Sequence, residues 1–186
     1  TIIRNGNTLY VGGSGPNNYT KIQDAIDDAS EGDTVFVYDD SSPYYENLVI
    51  NKSIYLLGEE GYTTIIDGNN SGNVVNISAN FVEIREFTLQ NNFCKNQYYT
   101  VGIHILSDYN TISNNIISHN NFGICLAYSN YNVITFNTIS NNAFGIDLYS
   151  SYNNLVIENS IYINGHGIKL RNSSSNILDG NLIFTS

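Results

Sequence analysis

The chain has 186 residues, a formal net charge of −10 and an isoelectric point near 4.4. Its length suffices for one domain with a continuous core, and its acidic balance without a basic tract argues against nucleic acid or an anionic membrane surface as a partner. No run of eighteen apolar residues occurs, so no membrane insertion is expected.

The N-terminal part predicts a strand, a loop and a helix. Thr8–Val11 favours a short strand, and the glycine-rich segment Gly12–Asn18 favours a loop. A helix is predicted from about Lys21 to Ala29, with Thr20 as N-cap and Gln23 completing a capping box. Its apolar face, which we expect to dock on the open end of a stacked array, comprises Ile22, Ala25, Ile26 and Ala29.

After the helix the hydrophobic period changes from about 3.6 to 2, which indicates strands. An insertion is predicted at 93–100, because the interval from Asn92 to Asn120 is longer than the spacing that the later asparagines keep. Insertions of this kind form loops on one face of a repeat array. The predicted strands are Thr34–Tyr38, Leu48–Ile50, Ser53–Leu57, Thr63–Asp67, Val74–Ile77, Val82–Ile84 and Thr88–Leu89.

From residue 102 to residue 184 one pattern occurs four times, with a period of about 22 residues. Such a period indicates stacked units that share a core. The repeated glycines are Gly102, Gly123, Gly145 and Gly167. Three files of asparagine follow the same spacing: Asn110, Asn132, Asn154 and Asn176; Asn115, Asn137, Asn159 and Asn181; and Asn120, Asn142 and Asn164.

Each unit carries Ile, Leu or Val at alternating positions in pieces too short for a helix. Three short strands joined by tight turns would close one coil, and coils stacked about 4.8 Å apart would place equivalent residues in register. The sequence therefore predicts an all-β fold, a parallel β-helix built from coils of this period, with an N-terminal capping α-helix. We expect one domain over 1–186, made of a strand and helix (1–32), irregular coils (33–100) and regular coils (101–186).

The second asparagine file is predicted to form a structural ladder. Asparagine tolerates the left-handed backbone of tight turns, and its amide can bond groups that a narrow solenoid would otherwise bury unpaired. We place this file inside the turn between the second and third strands of each coil, with each amide bonded to the next coil. Its members are Asn115, Asn137, Asn159 and Asn181.

These residues carry a family resemblance. Gly32–Gly68, preceded by the helical segment Ile22–Ala29 and followed by the N-x-I-x-x-N coils, resembles right-handed parallel β-helix proteins of the pectate-lyase-like superfamily. Within it the chain is most similar to NosD-type proteins with PbH1 repeats, over residues 8–186. The resemblance implies a secreted or surface protein, with sugar hydrolases, lyases and binding modules among its relatives.

The resemblance does not bring a catalytic motif with it. The N-terminal part also resembles that of pectin methylesterases, but their Asp-Phe-x-Phe-Gly phrase is missing. Gly165-His166-Gly167 resembles the G-H-G of polygalacturonases, but the paired aspartates and the Arg-x-Lys signature of that family are missing. We therefore predict no catalytic residue from these motifs.

The strands that follow the repeated glycines provide the candidate site. Inward Ile and Leu should alternate with two outward files, His104, Cys125, Asp147 and Lys169, then Leu106, Ala127, Tyr149 and Arg171. The resemblance implies that this face carries the sites of polysaccharide enzymes. Asp147 and Lys169 are expected to form a surface ion pair. The candidate carbohydrate-binding residues are His104, Tyr128, Asp147, Tyr149, Lys169 and Arg171.

The pattern predicts neither a metal site nor a cofactor. His104 and Cys125 fall in successive coils, but they lack a third ligand and the chain has no Met. The two cysteines, Cys94 and Cys125, leave open two free thiols or one disulfide. Phe122, Phe144 and His166 are expected to stack beside the core.

Two functional hypotheses remain. The first is a non-catalytic extracellular or cell-surface module that binds polysaccharide or glycan, or that acts as an adhesive or envelope element. The second is a polysaccharide-active lyase, hydrolase or esterase. Sequons at Asn18, Asn51, Asn69, Asn76 and Asn172 favour export, although no secretory signal is part of this sequence. At the C-terminal end we expect further coils or self-association.

Overall fold

The computed structural model describes residues 6–91 and 100–184, which contain one helix and 21 strands. The helix, α1, spans Ile22–Asp28 and lies between the first two strands. The first strands are β1 (Thr8–Val11), β2 (Thr34–Val37), β3 (Tyr44–Tyr45), β4 (Leu48–Ile50), β5 (Tyr55–Gly58), β6 (Ile65–Asp67), β7 (Val75–Ile77), β8 (Glu83–Arg85) and β9 (Thr88–Gln90). The later strands are β10 (Val101–Ile105), β11 (Thr111–Ser113), β12 (Ile116–Ser118), β13 (Phe122–Ala127), β14 (Val133–Thr135), β15 (Thr138–Ser140), β16 (Phe144–Tyr149), β17 (Leu155–Ile157), β18 (Ser160–Tyr162), β19 (His166–Arg171), β20 (Ile177–Asp179) and β21 (Leu182–Phe184).

The strands form three parallel sheets, to which each complete coil contributes one strand apiece. The eight-stranded sheet has the order β1-β2-β5-β8-β11-β14-β17-β20, the six-stranded sheet β4-β7-β10-β13-β16-β19, and the seven-stranded sheet β3-β6-β9-β12-β15-β18-β21. Every coil between the first and the last is thus hydrogen-bonded to the coils before and after it. This architecture confirms the predicted parallel β-helix with coils of about 22 residues.

The pairing of strands between successive coils shows where the number of residues per coil changes. Ile112 pairs with Ile134, one regular period later, whereas Leu89 pairs with Ile117 across a longer interval. The predicted insertion at 93–100 falls in this longer interval, and its residues 93–99 lie outside the described residues. Cys94 is among them, while Cys125 carries a free thiol.

Columns of aliphatic side chains fill the interior. Ile112, Ile134 and Val156 occupy one column and are all 0% exposed. Each contributes roughly 1.5–3 kcal/mol when it is fully buried. Leu178 continues the same column in the last coil but is 42% exposed, because only one neighbouring coil covers it. Burial in this fold therefore requires a coil on each side.

Helix α1 lies against β1, β2 and β4, and its buried residues are Ile22, Ala25 and Ile26, as predicted. The predicted capping box, however, is wrong. The N-cap residue is Lys21, which makes no side-chain cap. Instead the Glu46 carboxylate accepts hydrogen bonds from the backbone N–H groups of Ile22 (2.8 Å) and Gln23 (3.0 Å). A cap supplied from a distant part of the chain cannot be recognised from local spacing.

The opposite end of α1 is also capped from a distance. Lys52 Nζ donates to the backbone carbonyls of Ile26 (3.2 Å) and Ala29 (2.8 Å). Glu46 and Lys52 thus place opposite charges at the two ends where the helix dipole favours them. Because a helix of this length is marginal alone, these contacts and the buried face hold it in place.

We expect Glu46→Ala to lower the free energy of unfolding by about 1–2 kcal/mol, the usual effect of losing an N-terminal cap. Two backbone donors at the start of α1 would lose their acceptor. Urea denaturation followed by circular dichroism measures this loss. Glu46→Gln, which retains one acceptor oxygen, should lose less than Glu46→Ala; equal losses would show that the bonds do not stabilise the helix.

The two-residue strand β3 was not predicted. Tyr44 is 4% exposed, pairs with Ile66 and donates its hydroxyl to the backbone carbonyl of Tyr38 at 2.8 Å. A strand this short carries no periodic signal, since two residues cannot show an alternation. Most other predicted strands are found with ends shifted by one or two residues.

The asparagine ladder is confirmed. Asn137 Nδ2 donates to the backbone carbonyls of Ile112 (2.9 Å) and Thr135 (3.0 Å) and to Asn159 Oδ1 (3.0 Å). Its own Oδ1 accepts from the backbone N–H of Asn115 at 3.0 Å. The side chain therefore bonds the coils on both sides. It lies between β14 and β15, the second and third strands of its coil, as predicted.

Candidate functional site

The outward face of the six-stranded sheet carries the predicted files. His104 pairs with Cys125, Cys125 with Asp147, and Asp147 with Lys169. In the second file Tyr149 pairs with Arg171. Each repeated glycine is the second residue of its strand. Each outward position therefore recurs in neighbouring coils at the spacing of hydrogen-bonded strands.

Asp147 does not form the expected ion pair with Lys169. Its carboxylate bonds Arg171 instead, with Arg171 Nε at 3.2 Å from Oδ1 and Nη2 bonded to Oδ2. Asp147 is 0% exposed, although it belongs to an outward file. The planar guanidinium can take both carboxylate oxygens at once, which the single ammonium of Lys169 cannot do. Lys169 Nζ lies 4.8 Å from the centre of the Phe144 ring.

Arg171 is also held against aromatic side chains. Its guanidinium carbon lies 4.9 Å from the centre of the Tyr149 ring, and the Tyr149 and Tyr128 rings are 5.2 Å apart and nearly perpendicular. Tyr128 is 66% exposed. Among the described residues, Arg171 Nη1 has no acceptor. The cluster therefore presents a fixed cation with free donors beside an accessible phenol ring.

His104 and Cys125 precede Asp147 in the same outward file. Burial lowers the pKa of His104, whose Nδ1 lies 3.4 Å from Asn73 Nδ2. Burial, followed by the negative charge of Asp147, raises the pKa of the Cys125 thiol to about 11. A protonated, half-buried thiol is a poor nucleophile and a poor metal ligand. Of the predicted site residues, the structure brings together Asp147, Tyr149, Tyr128 and Arg171, but not His104.

The predicted aromatic stack is present beside this cluster. The Phe122 and Phe144 rings are 4.7 Å apart, and the Phe144 and His166 rings are 4.8 Å apart, in both cases nearly parallel. Phe122 and Phe144 are half-buried. With Lys169 beside Phe144, the stack supports the edge of the sheet and leaves few ring faces open to a ligand.

A model of the family described as "Periplasmic copper-binding protein (NosD)" matches residues 26–186. The chain belongs to the NosD family. That description places the family in the periplasm, outside the cytoplasm. No curated protein matches the chain.

Solved structures similar to this NosD-family chain include pectin methylesterases. PemA from Erwinia chrysanthemi has a TM-score of 0.62 at 13% identity, over 91% of this chain and 67% of that one. The carrot enzyme has a TM-score of 0.56 at 14% identity, over 91% and 64%. A pectin methylesterase in complex with a hexasaccharide has a TM-score of 0.61 at 13% identity, over 87% and 66%. The chain spans about two thirds of the length of these enzymes, and the similarity shows the fold alone.

The described residues do not fit a copper centre. Over 6–91 and 100–184, no three His, Cys, Asp or Glu side chains are grouped so that they could hold a metal ion. The neighbouring pair His104 and Cys125 offers one imidazole and one protonated thiol, and the sequence contains no Met. Copper sites need soft or imidazole ligands in larger number.

In the same described ranges, 6–91 and 100–184, no helix is long and apolar enough to span a membrane.

The sequence did not reveal a cavity at the N-terminal end. It has a volume of about 650 Å³ and is lined by Tyr10, Tyr38, Asp39, Asp40 and Glu59, among others. Asp39 and Asp40 lie directly after the predicted strand Thr34–Tyr38, and no function was predicted for them. The signal that could have identified the cavity is the combination of exposed aromatic positions in the first strands with acidic residues directly after them.

Proposed function

We propose that this NosD-family chain is a non-catalytic extracellular or cell-surface module that binds acidic polysaccharide on the outward face of the six-stranded sheet. The observation that carries the proposal is the fixed guanidinium of Arg171, held by Asp147 and lying on the Tyr149 ring. An arginine that is already oriented loses little freedom when it binds an anionic group.

The surroundings of Arg171 suit a sugar acid. Tyr128 is exposed at the edge of the cluster and offers a ring face against which a sugar ring can pack. Lys169 adds a second cation two residues along β19. A uronate residue could therefore place its carboxylate on Arg171 and its ring on Tyr128. The fold is shared with pectin methylesterases, one of which is in complex with a hexasaccharide, and it is compatible with this class of ligand.

The same geometry favours binding over catalysis. Glycoside hydrolysis by the common routes uses two carboxyl groups about 5 to 9.5 Å apart. The residues paired with Asp147 in the adjacent strands are Cys125 and Lys169, neither of which is a carboxylic acid. Both oxygens of Asp147 bond Arg171. Asp147 therefore serves to orient Arg171, and the residues paired with it supply no second carboxyl group.

We expect Arg171→Ala to weaken binding of an oligogalacturonate by about tenfold or more, since a charged hydrogen-bonded contact would be lost. Isothermal titration calorimetry measures the affinity, with a neutral oligosaccharide of equal length for comparison. Arg85→Ala is a matched control, because Arg85 pairs with Glu83 on the eight-stranded sheet. Equal losses in both variants, or no binding by the parent chain, would contradict the proposal.

The enzymatic alternative has a separate test. Incubation with pectin, alginate and chitosan, followed by analysis of released products, should show no turnover. Product release that disappears in Asp147→Ala would establish a polysaccharide-active enzyme in place of a binding module.

A further inference from the structure

An aromatic cluster lies on the outer face of the first strands of the eight-stranded sheet, far from Arg171 in the coil order. The Tyr10 and Tyr38 rings are 6.0 Å apart and stacked at 23°, and Phe36 meets each of them edge-on. The neighbouring residues Val35 and Val37 point into the core and are 0% exposed. Tyr10 is 43% exposed, so this cluster does not complete the hydrophobic core.

Two adjoining cavities share Tyr10 and Tyr38. The cavity of about 650 Å³ extends over the loop at Gly13–Gly15 and the acidic residues. The second, of about 480 Å³, extends across the sheet and is lined by Thr8, Thr34, Phe36 and Leu57, among others. The two cavities adjoin at these shared tyrosines, and we refer to them together as the groove; aromatic side chains and the hydroxyl groups of Thr8 and Thr34 line it. An aromatic floor with scattered hydroxyls is a surface on which several sugar rings could lie.

Three carboxylates line one end of this groove, and local hydrogen bonds hold each in place. Asp39 Oδ2 accepts from Thr63 Oγ1 (2.6 Å), Asp40 Oδ1 from the Gly13 backbone N–H (2.9 Å), and Glu59 Oε2 from the Asp39 backbone N–H (3.1 Å). Within the described part of the chain, the second oxygen of each carboxylate has no donor, and no Lys or Arg lines the cavity. Three oriented carboxylates with free acceptor oxygens therefore face the groove.

This charge distribution selects the class of ligand. The three carboxylates would repel an anionic ligand, so an acidic sugar is disfavoured here. A metal ion is also disfavoured, because no three acidic, His or Cys side chains in the described ranges lie close enough together to hold one. Carboxylates spread around stacked tyrosine rings suit an organic cation, which can bond the carboxylates and contact the ring faces together.

We propose that this groove binds an oligosaccharide of protonated amino sugars. The sugar rings lie on Tyr10 and Tyr38, and their ammonium groups bond the free oxygens of Asp39, Asp40 and Glu59. The second cavity accommodates further rings beside Thr8 and Thr34. This site is separate from the Arg171 face and selects a ligand of opposite charge, so it does not depend on the function proposed above.

The test uses calorimetric titration of the whole chain at pH 6 with a glucosamine tetrasaccharide. We expect binding that weakens by about tenfold or more for the N-acetylated tetrasaccharide, which has lost its charges. Affinity should also fall as salt increases. Spermidine supplies cationic amines without sugar rings and should bind more weakly. Binding of the acetylated and free sugars with equal affinity would overturn the proposal, as would spermidine binding as tightly as the tetrasaccharide.

Matched variants locate the binding site. Glu59→Gln and Tyr10→Ala should each weaken binding of the glucosamine tetrasaccharide by about fivefold or more. Glu60→Gln removes the same charge from the adjacent residue, which lines a different cavity, and should leave the affinity unchanged. Thermal denaturation verifies that every variant is folded. Equal losses of affinity in Glu59→Gln and Glu60→Gln would mean that binding depends only on the net charge of the protein. That result would overturn the proposed site.

The two proposed sites can fail separately. Arg171→Ala should leave amino-sugar binding intact, and Glu59→Gln should leave oligogalacturonate binding intact. If the glucosamine tetrasaccharide binds but Arg171→Ala abolishes that binding, the groove is not the site.

Discussion

Asn137→Ala should lower the free energy of unfolding by about 3–5 kcal/mol, because several buried polar groups lose their partners together. The buried backbone N–H of Asn115 loses the oxygen that accepts its hydrogen bond at 3.0 Å. The backbone carbonyls of Ile112 and Thr135 and the side-chain oxygen of Asn159 lose donors. Since the site lies between two covered coils, water cannot readily replace the missing amide.

Urea denaturation gives this loss directly, and Asn181→Ala provides a matched control. Asn181 occupies the same ladder in the last coil, where Asn181 Nδ2 donates to the Val156 carbonyl and Oδ1 accepts from Asn159. It is half-buried, so water can reach the groups left unpaired there. We expect Asn181→Ala to cost clearly less than Asn137→Ala. A loss below about 1 kcal/mol for Asn137→Ala would mean that the ladder contributes little to stability.

Gly145→Ala should lower the free energy of unfolding by about 2–4 kcal/mol, because the added methyl group has no space. A Cβ atom on Gly145 would lie 2.5 Å from the backbone oxygen of Gly167 and 3.0 Å from Ile161 Cγ2. The first contact is with backbone in the next coil, and relieving it would separate hydrogen-bonded strands. The repeated glycines are therefore required by the close approach of successive coils.

Gly167→Ala is the matched control for this prediction. A Cβ atom there meets the Ile183 side chain at 2.9 Å, with no backbone oxygen among its nearest neighbours. Ile183 is 50% exposed and can move aside. Thermal denaturation of both variants should show the larger decrease in melting temperature for Gly145→Ala. Similar decreases would indicate that the contact with the next coil is not the cause.

The repeated positions were predictable because each is specified by its own local pattern. Alternating Ile and Leu identified the buried columns, and the regularly spaced files of glycine and asparagine identified equivalent positions in successive coils. The apolar face of α1 followed from helical spacing in the same way. The outward files of the six-stranded sheet were also correctly placed, because alternation along a strand decides which side chains face out.

The partners of those outward side chains were not predictable to the same degree. Register alone suggested Asp147 with Lys169, since these residues are directly opposite each other. The structure pairs Asp147 with Arg171, because a bidentate guanidinium contact is available diagonally across two coils. The cap of α1 shows the same limitation, since Glu46 reaches the helix from a loop beyond β3.

The sequence by itself determined the parallel β-helix, the length of its coils, the internal asparagine ladder and the docked face of the helix. All of these follow from short-range periodicity repeated along the chain. Only the tertiary structure decided that Arg171 is fixed by a buried Asp147, and that Tyr10 and Tyr38 share a groove with Asp39, Asp40 and Glu59. These contacts join side chains from different coils. Whether two such side chains meet depends on the length and direction of each side chain across the coils. Neither property produces a periodic pattern in the sequence.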